Sequence, residues 1–190
     1  MLEFLQKIDV EVFLFLNNLH SGFFDIIMFQ LTKQLIWLPL FIIVIFFLFK
    51  YYKNEAWWLI AGIVFIILIS DQFISGFMKP FFERLRPSHD PVLENLVHLV
   101  NEYRGGLYGF ASSHAGNSFG VAMFLWLTVR VKIPWIWIMF VWAFIFSYTR
   151  IYLGVHYPAD IIVGGAIGAT FALFIDWFIR IVRLKLRSSA

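Results

Sequence analysis

Cysteine is absent from the 190-residue sequence, and charged residues make up only 14% of it. The first absence excludes a disulfide framework, a thiolate nucleophile and any cysteine-ligated metal. The second excludes an ordinary water-soluble domain, in which about a quarter of residues are charged and about half apolar. Here 61% of residues are hydrophobic and 21% aromatic. The same figures exclude disorder, collagen and a coiled coil, and no repeat or low-complexity linker divides the chain. What remains is one integral-membrane domain over residues 1–190.

A spanning helix needs roughly 20 mostly apolar residues to cross ~30 Å of hydrocarbon. Five stretches meet that test, at about 28–49, 56–77, 115–131, 134–150 and 159–180. Trp135 and Trp137 stand where an interfacial aromatic belt would anchor one of them. Residues 1–23 read differently. Leu2, Leu5, Ile8, Val12 and Leu16 recur at helical spacing while Glu3, Lys7, Asp9 and Glu11 take the other positions. That pattern predicts an amphipathic helix lying in the membrane interface. It lacks the basic start and A-x-A-like site of a signal peptide. The expected fold is an all-α polytopic membrane helix bundle of about five transmembrane helices plus this N-terminal interfacial helix.

Orientation follows from lysine and arginine. Lys50 and Lys53, then Arg130 and Lys132, then Arg180, Arg183, Lys185 and Arg187 alternate with five spans. They predict a cytoplasmic C-terminus in a bacterial inner membrane. The loop 78–114 and the 151–158 turn then face the periplasm or cell exterior.

Outside those flanking charges, the ionisable residues gather in three places. In Lys79-Pro-Phe-Phe-Glu-Arg-Leu-Arg86-Pro87 the outer cations are seven residues apart. A helical run opened by Pro80 and closed by Pro87 would put both on one face. The plainer alternative is a snorkelling interfacial stretch. In Phe110-Ala-Ser-Ser-His114, Ser112 or Ser113 can cap the following span, and a helix start is a ready anion site. His114 beside it could move a proton near neutral pH. In Thr149-Arg-Ile-Tyr-Leu-Gly-Val-His156-Tyr-Pro-Ala-Asp160, Asp160 could accept Nδ1–H of His156 and leave Nε2 free to attack. The topology, derived without these residues, puts all three places at one membrane face. Ionisable groups there are costly and by default functional. Three cations, two histidines, a helix start and a carboxylate are what metal-free phosphoryl transfer requires.

Lys79-x6-Arg86-Pro87, Ser112-x-His114 and Arg150-x5-His156-x3-Asp160 together resemble the type-2 phosphatidic acid phosphatase superfamily, which includes vanadium haloperoxidases and bacterial acid phosphatases. The resemblance spans 79–160. It implies that His156 is the nucleophile forming a phosphohistidine, oriented by Asp160, with His114 as general acid and then base. It implies that Lys79, Arg86, Ser112, Ser113 and Arg150 bind the phosphate, and that no metal or other cofactor is used. The usual second motif is Pro-Ser-Gly-His, so Ala111 and Ser113 depart from it. Thr149 replaces the usual serine before Arg150.

The expected activity is a lipid phosphatase at the periplasmic face. Polyprenyl (undecaprenyl) pyrophosphate is the first substrate reading, with lipid A, phosphatidylglycerophosphate and phosphatidic acid as alternatives. Loop 88–111, with His89, His98, Glu102, Arg104 and Tyr108, is expected either to shape headgroup choice or to be solvated. The expected partners are the lipid phosphate and membrane lipids, with no nucleic acid and no obligate protein partner. An anion-binding transporter would leave the His–Asp pairing unexplained. A hydrolase with His114, His156 and Asp160 around zinc is chemically adequate, but three cations would oppose the metal and no H-E-x-x-H is present. Asp71 and Gln72 could pair with Lys79. Gly154, Gly164, Gly165 and Gly168 suit close packing, and Asp176 suits Arg180 one turn on.

Overall fold

The structure is a computed structural model that describes residues 1–188, with the backbone alone described for Leu2 and for residues 183–188. The basic residues Arg183, Lys185 and Arg187 therefore lie outside the described side chains. The regular elements are α1 (Leu2–Asn17), α2 (Gly22–Leu31), α3 (Leu38–Tyr52), α4 (Ala56–Asp71), α5 (Lys79–Phe82), α6 (Ser113–Val129), α7 (Ile138–Tyr152) and α8 (Pro158–Ser188). Among the described residues, extended pairing is confined to one antiparallel bridge between Leu85 and Tyr108. The chain is an all-α polytopic membrane bundle.

Among the described residues, three helical stretches are long and apolar enough to cross a membrane: Gln34–Phe82, Pro134–Tyr152 and Pro158–Val182. The first, taken as one rod at 1.5 Å per residue, would be about 73 Å long, more than twice the hydrocarbon thickness. It doubles back instead, because Lys53 takes φ +48° and leaves the helix. Phe41 of α3 packs on Trp142 and Tyr52 reaches the Thr128 carbonyl. Gly62 of α4 faces Phe124, and Ile74 beyond it faces Gly116. These contacts make α3 and α4 antiparallel.

The 17-residue α6 is the central helix. Ile66, Phe124, Leu125, Met139 and Ala172 form part of the fully buried core around it. It runs parallel to α8 with backbones touching. A Cβ on Gly168 would fall on the Gly116 carbonyl, and one on Gly164 on the Ser112 carbonyl. Small residues one turn apart permit that approach, as the glycine spacing predicted. The approach also brings the starts of α6 and α8 together, where the Ser112 N–H donates to the Asp160 carbonyl at 2.9 Å.

The expected span at 28–49 is corrected. Residues 22–31 form their own helix, started by Ser21, whose hydroxyl accepts the Phe24 N–H at 3.4 Å. The spanning stretch begins only at Gln34 and its regular α-helix at Leu38, with Pro39 in a first helical turn, where proline fits. The chain bends by 113° between α1 and α2. At that bend Asn17 is fully buried and donates to the carbonyls of Ile151 and Tyr152 at 3.2 and 2.9 Å. It thereby caps the C-terminal end of α7, where the Ile151 carbonyl also accepts the Gly154 N–H at 3.0 Å.

Candidate active site

Local rules bring the three sequence clusters to one end of the bundle. Beyond α4 the helix widens into a π-type turn over Gln72–Met78 before α5. The wider turn precedes Pro80, which has no N–H to give it. The chain leaves α5 at Glu83 in left-handed geometry, φ +46°. Residues 84–86 then run extended, Arg86 N–H donating to the Leu107 carbonyl at 3.1 Å and Gly109 N–H to the Arg84 carbonyl at 2.8 Å. The expectation of Lys79 and Arg86 on one helical face is therefore corrected. Pro87 disfavours helix at the residue before it, so Arg86 reaches the site from an extended segment.

His156 is set by the turn between α7 and α8. Gly154 has φ +73°, where a Cβ would meet Val97 and the His98 carbonyl, so glycine is required there. Pro158 opens α8 as a first-turn proline. Asp160, two residues on, reaches back to accept the Tyr157 N–H at 3.0 Å, the reciprocal half of a capping box. The same oxygen, Oδ2, lies 3.1 Å from His156 Nδ1. A carboxylate only accepts, so Nδ1 carries the proton and Nε2 holds the lone pair. His156 and Asp160 are 1% and 0% exposed.

A polar cavity of about 260 Å³ takes its walls from Lys79, Arg86, Ser113, His114, Arg150 and His156, together with Asp71, Ser75, Tyr103 and Asn117. Lys79 Nζ donates to Ser113 Oγ at 3.2 Å and Ser75 Oγ at 3.3 Å. Ser113, the departure from the family glycine, stands in ordinary helical geometry and adds a hydroxyl there. Ser112 precedes α6 without a side-chain cap bond, and its buried Oγ has no partner. Arg86 donates from Nε to the Tyr108 carbonyl at 3.1 Å and leaves Nη1 buried and unpaired. His114 packs its ring on Phe146, centroids 5.1 Å apart.

An apolar cleft of about 360 Å³ adjoins this cavity between α3, α4, α6 and α7, lined by Leu38, Phe41, Ile67, Val121 and Trp142. Gln34, Asn117 and Phe146 line both spaces. A charged chamber thus continues into a hydrocarbon-lined one.

Residues 57–183 match the family model of the PAP2 superfamily. The chain belongs to that superfamily. It is 41% identical over 182 residues to a lipid A 4'-phosphatase of Bacteroides thetaiotaomicron, covering 94% of this chain and 80% of the relative. It is 36% identical over 188 residues to a lipid A 4'-phosphatase of Porphyromonas gingivalis, covering 98% and 78%. An undecaprenyl-diphosphatase of Sulfolobus acidocaldarius is more distant, 27% identical over 165 residues, covering 85% and 73%. The crystal structure of Aquifex aeolicus LpxE superposes with a TM-score of 0.64 at 27% identity, covering 87% of this chain and 93% of that one. This protein is therefore a membrane PAP2 phosphatase, a hydrolase of lipid phosphates.

In this PAP2 site, burial and then the charges of Arg86 and Arg150 hold His156 well below the usual imidazole value. That favours the neutral imidazole, whose Nε2 holds the lone pair. Burial and then Arg150 bring Arg86 down to about 10, which leaves it charged. Burial alone would raise the Tyr103 phenol, but the Arg150 charge and hydrogen bond take it below its ordinary value.

Sequence reasoning missed Thr32 and Tyr103, which hold the expected Arg150, and Arg84, which holds Asp160. Arg150 is 3% exposed and donates from Nη1 to Thr32 Oγ1 at 2.7 Å and from Nη2 to the Tyr103 hydroxyl at 3.0 Å. Arg84 donates to Asp160 Oδ1 at 3.0 Å. Of loop 88–111, Tyr103 and Gly106 line the cavity, whereas the side chains of His89, His98, Glu102, Arg104 and Tyr108 do not. His98 instead lies 2.9 Å from Asp25. Asp71 approaches Lys79 through Ser75, whose hydroxyl donates to Asp71 Oδ1 at 3.3 Å. Asp176 pairs with Arg180 at 2.8 Å, as its spacing predicted.

Proposed function

We propose that this phosphatase removes a phosphate from lipid A at the extracytoplasmic face of a bacterial inner membrane. The observation that carries the substrate is the 41% identity over 94% of the chain to a lipid A 4'-phosphatase. It outweighs the polyprenyl pyrophosphate that the sequence suggested first, for which the undecaprenyl-diphosphatase relative is only 27% identical. The orientation rests on Lys50, Lys53, Arg130, Lys132 and Arg180 at the opposite end of the bundle from the site. On the same reading the N-terminal helix lies in the interface, with Leu5, Ile8 and Val12 of α1 exposed to lipid.

In the proposed mechanism Lys79, Arg86 and Arg150 hold the phosphate oxygens, with the Ser112 hydroxyl and the Ser113 N–H. Nε2 of His156 attacks phosphorus as the bond to the sugar oxygen breaks, and His114 delivers a proton to that oxygen. The products are the dephosphorylated lipid and a phosphohistidine. His114 then takes a proton from water, whose oxygen attacks phosphorus and releases phosphate from His156. Acyl chains take the apolar cleft while the headgroup occupies the polar cavity. Both oxygens of Asp160 are engaged by protein donors, which favours an orienting role over metal ligation.

The test is a kcat/KM panel with the purified protein and chelator, over bisphosphorylated lipid A, undecaprenyl diphosphate, phosphatidylglycerophosphate and phosphatidic acid. Lipid A preferred at least tenfold, with mass spectrometry placing the loss at the 4' position, is the expected result. Preference for undecaprenyl diphosphate would return the first reading.

A further inference from the structure

The Arg84 guanidinium lies outside the phosphate cavity, behind Asp160. Its Nη1 donates to Asp160 Oδ1 at 3.0 Å, and its Nη2 donates to Asp9 Oδ2 of α1 at 2.7 Å. The other Asp9 oxygen accepts the Ala159 N–H at 2.8 Å, in the first turn of α8. The guanidinium also lies 4.0 Å over the Tyr157 ring, the residue after His156. Asp9 is 9% exposed although α1 is otherwise largely exposed. A planar fork that engages two carboxylates fixes angle as well as distance, which a single ammonium cannot do.

We propose that Arg84 is a positioning residue of the reaction, holding Asp160 with one nitrogen and held by Asp9 with the other, so that the N-terminal helix belongs to the active site. This rests on the reading of His156 as nucleophile. Both outer nitrogens of Arg84 are spent on carboxylates, so it is not a phosphate ligand. Its action passes through Asp160, whose Oδ1 it fixes so that Oδ2 stays aimed at His156 Nδ1. Two carboxylates around one guanidinium leave one net negative charge behind the imidazole. That charge balances the positive charge that His156 gains on bonding phosphorus. Asp9 matters because without it Arg84 would offset the Asp160 charge in full and swing freely.

The test compares full-length wild type, Arg84→Gln, Arg84→Lys, Asp9→Asn, Arg84→Gln with Asp9→Asn, and His156→Ala. Phosphate release is followed from lipid A and from dioctanoyl phosphatidic acid. Arg84→Gln is expected to lower kcat by about 10²-fold with KM within about threefold of wild type. Arg84→Lys should recover at least about tenfold of that loss, because charge returns without the fork. Asp9→Asn should lower kcat by about tenfold alone and by nothing further in the Arg84→Gln background, because it acts through Arg84. A raised KM at unchanged kcat in Arg84→Gln would overturn the proposal and make Arg84 a headgroup ligand. Additive losses in the double variant would also overturn it. If Arg84→Gln does not fold, Arg84→Lys and Asp9→Asn carry the same kcat-against-KM reading. Turnover retained by His156→Ala would sink the nucleophile assignment itself. An inactive His156→Ala beside a wild-type-like Arg84→Gln would sink only the clamp.

Discussion

The two ends of the bundle spend charge differently. At the site end, Arg86, Arg150, His156 and Asp160 are each 7% exposed or less, with polar atoms held by protein partners or turned to the cavity. At the other end Lys50, Arg130, Lys132 and Arg180 are exposed. There Lys132 donates to the Tyr51 carbonyl at 3.2 Å and lies over the Tyr52 ring, and Arg130 lies over Trp126. Both ends are basic, but only one has taken its charges out of water. Buried cations must be held by neighbours, and the holding costs fold design: Thr32, Tyr103 and the Tyr108 carbonyl are all committed to two arginines. Exposed cations need no such support, because water solvates them.

The contrast is broken most severely at His156. His156→Ala should lower turnover by at least about 10³-fold while circular dichroism and the melting temperature stay near wild type; turnover above a tenth of wild type would contradict it. Arg150→Met comes next, with kcat/KM falling by about 10²–10³, the usual range for losing one preorganised donor to developing charge. A loss under about fivefold in steady-state kinetics would mean that the buried end works no differently from the exposed one.

Packing offers a different kind of break. Gly168→Val places side-chain atoms on the Gly116 backbone, where α6 and α8 touch. It should cost about 1–3 kcal/mol or more in thermal unfolding and reduce activity with it, because the same contact joins Ser112 to Asp160. The pH profile should show a subtler sign. On the proposed mechanism His156 must be unprotonated to attack, and burial with Arg86 and Arg150 holds it well below 6.5. Hence kcat/KM, corrected for the substrate's own ionisation, should stay on its plateau as pH falls through 6.5; an acid limb at or above that value would contradict the electrostatic account. The smallest effect belongs to the other end. Lys132→Ala should change stability by no more than about 0.5 kcal/mol and turnover by less than about twofold.

What was legible in the sequence divides along the same line. Composition and hydropathy reveal a helical membrane bundle, because hydrocarbon leaves helices or closed barrels as the options. His156 and Asp160 were readable because their geometry is local: Pro158 opens a helix and Asp160 reaches back from its first turn. That Gly164 and Gly168 permit close helix packing was readable from their spacing, whereas the identity of the partner, α6, comes from the tertiary fold. Lys79 and Arg86 were placed at the right end by the wrong geometry, since helical spacing was trusted over the effect of Pro87 on Arg86. Hydropathy could not see the break between α2 and α3, because both flanks are apolar. Thr32, Tyr103 and Asp9 reach their partners only through the tertiary fold. Arg84 lies between the two outer cations of its stretch, with nothing in its spacing pointing to Asp160.

The most direct test of the central claim, that the buried end transfers phosphorus through His156, is rapid-quench trapping with a lipid substrate labelled in its phosphate. The account predicts acid-labile, alkali-stable label on the wild-type protein, mapped to the peptide holding His156 and absent from His156→Ala, which does not turn over. Label on another residue, or turnover that persists in His156→Ala, would contradict it.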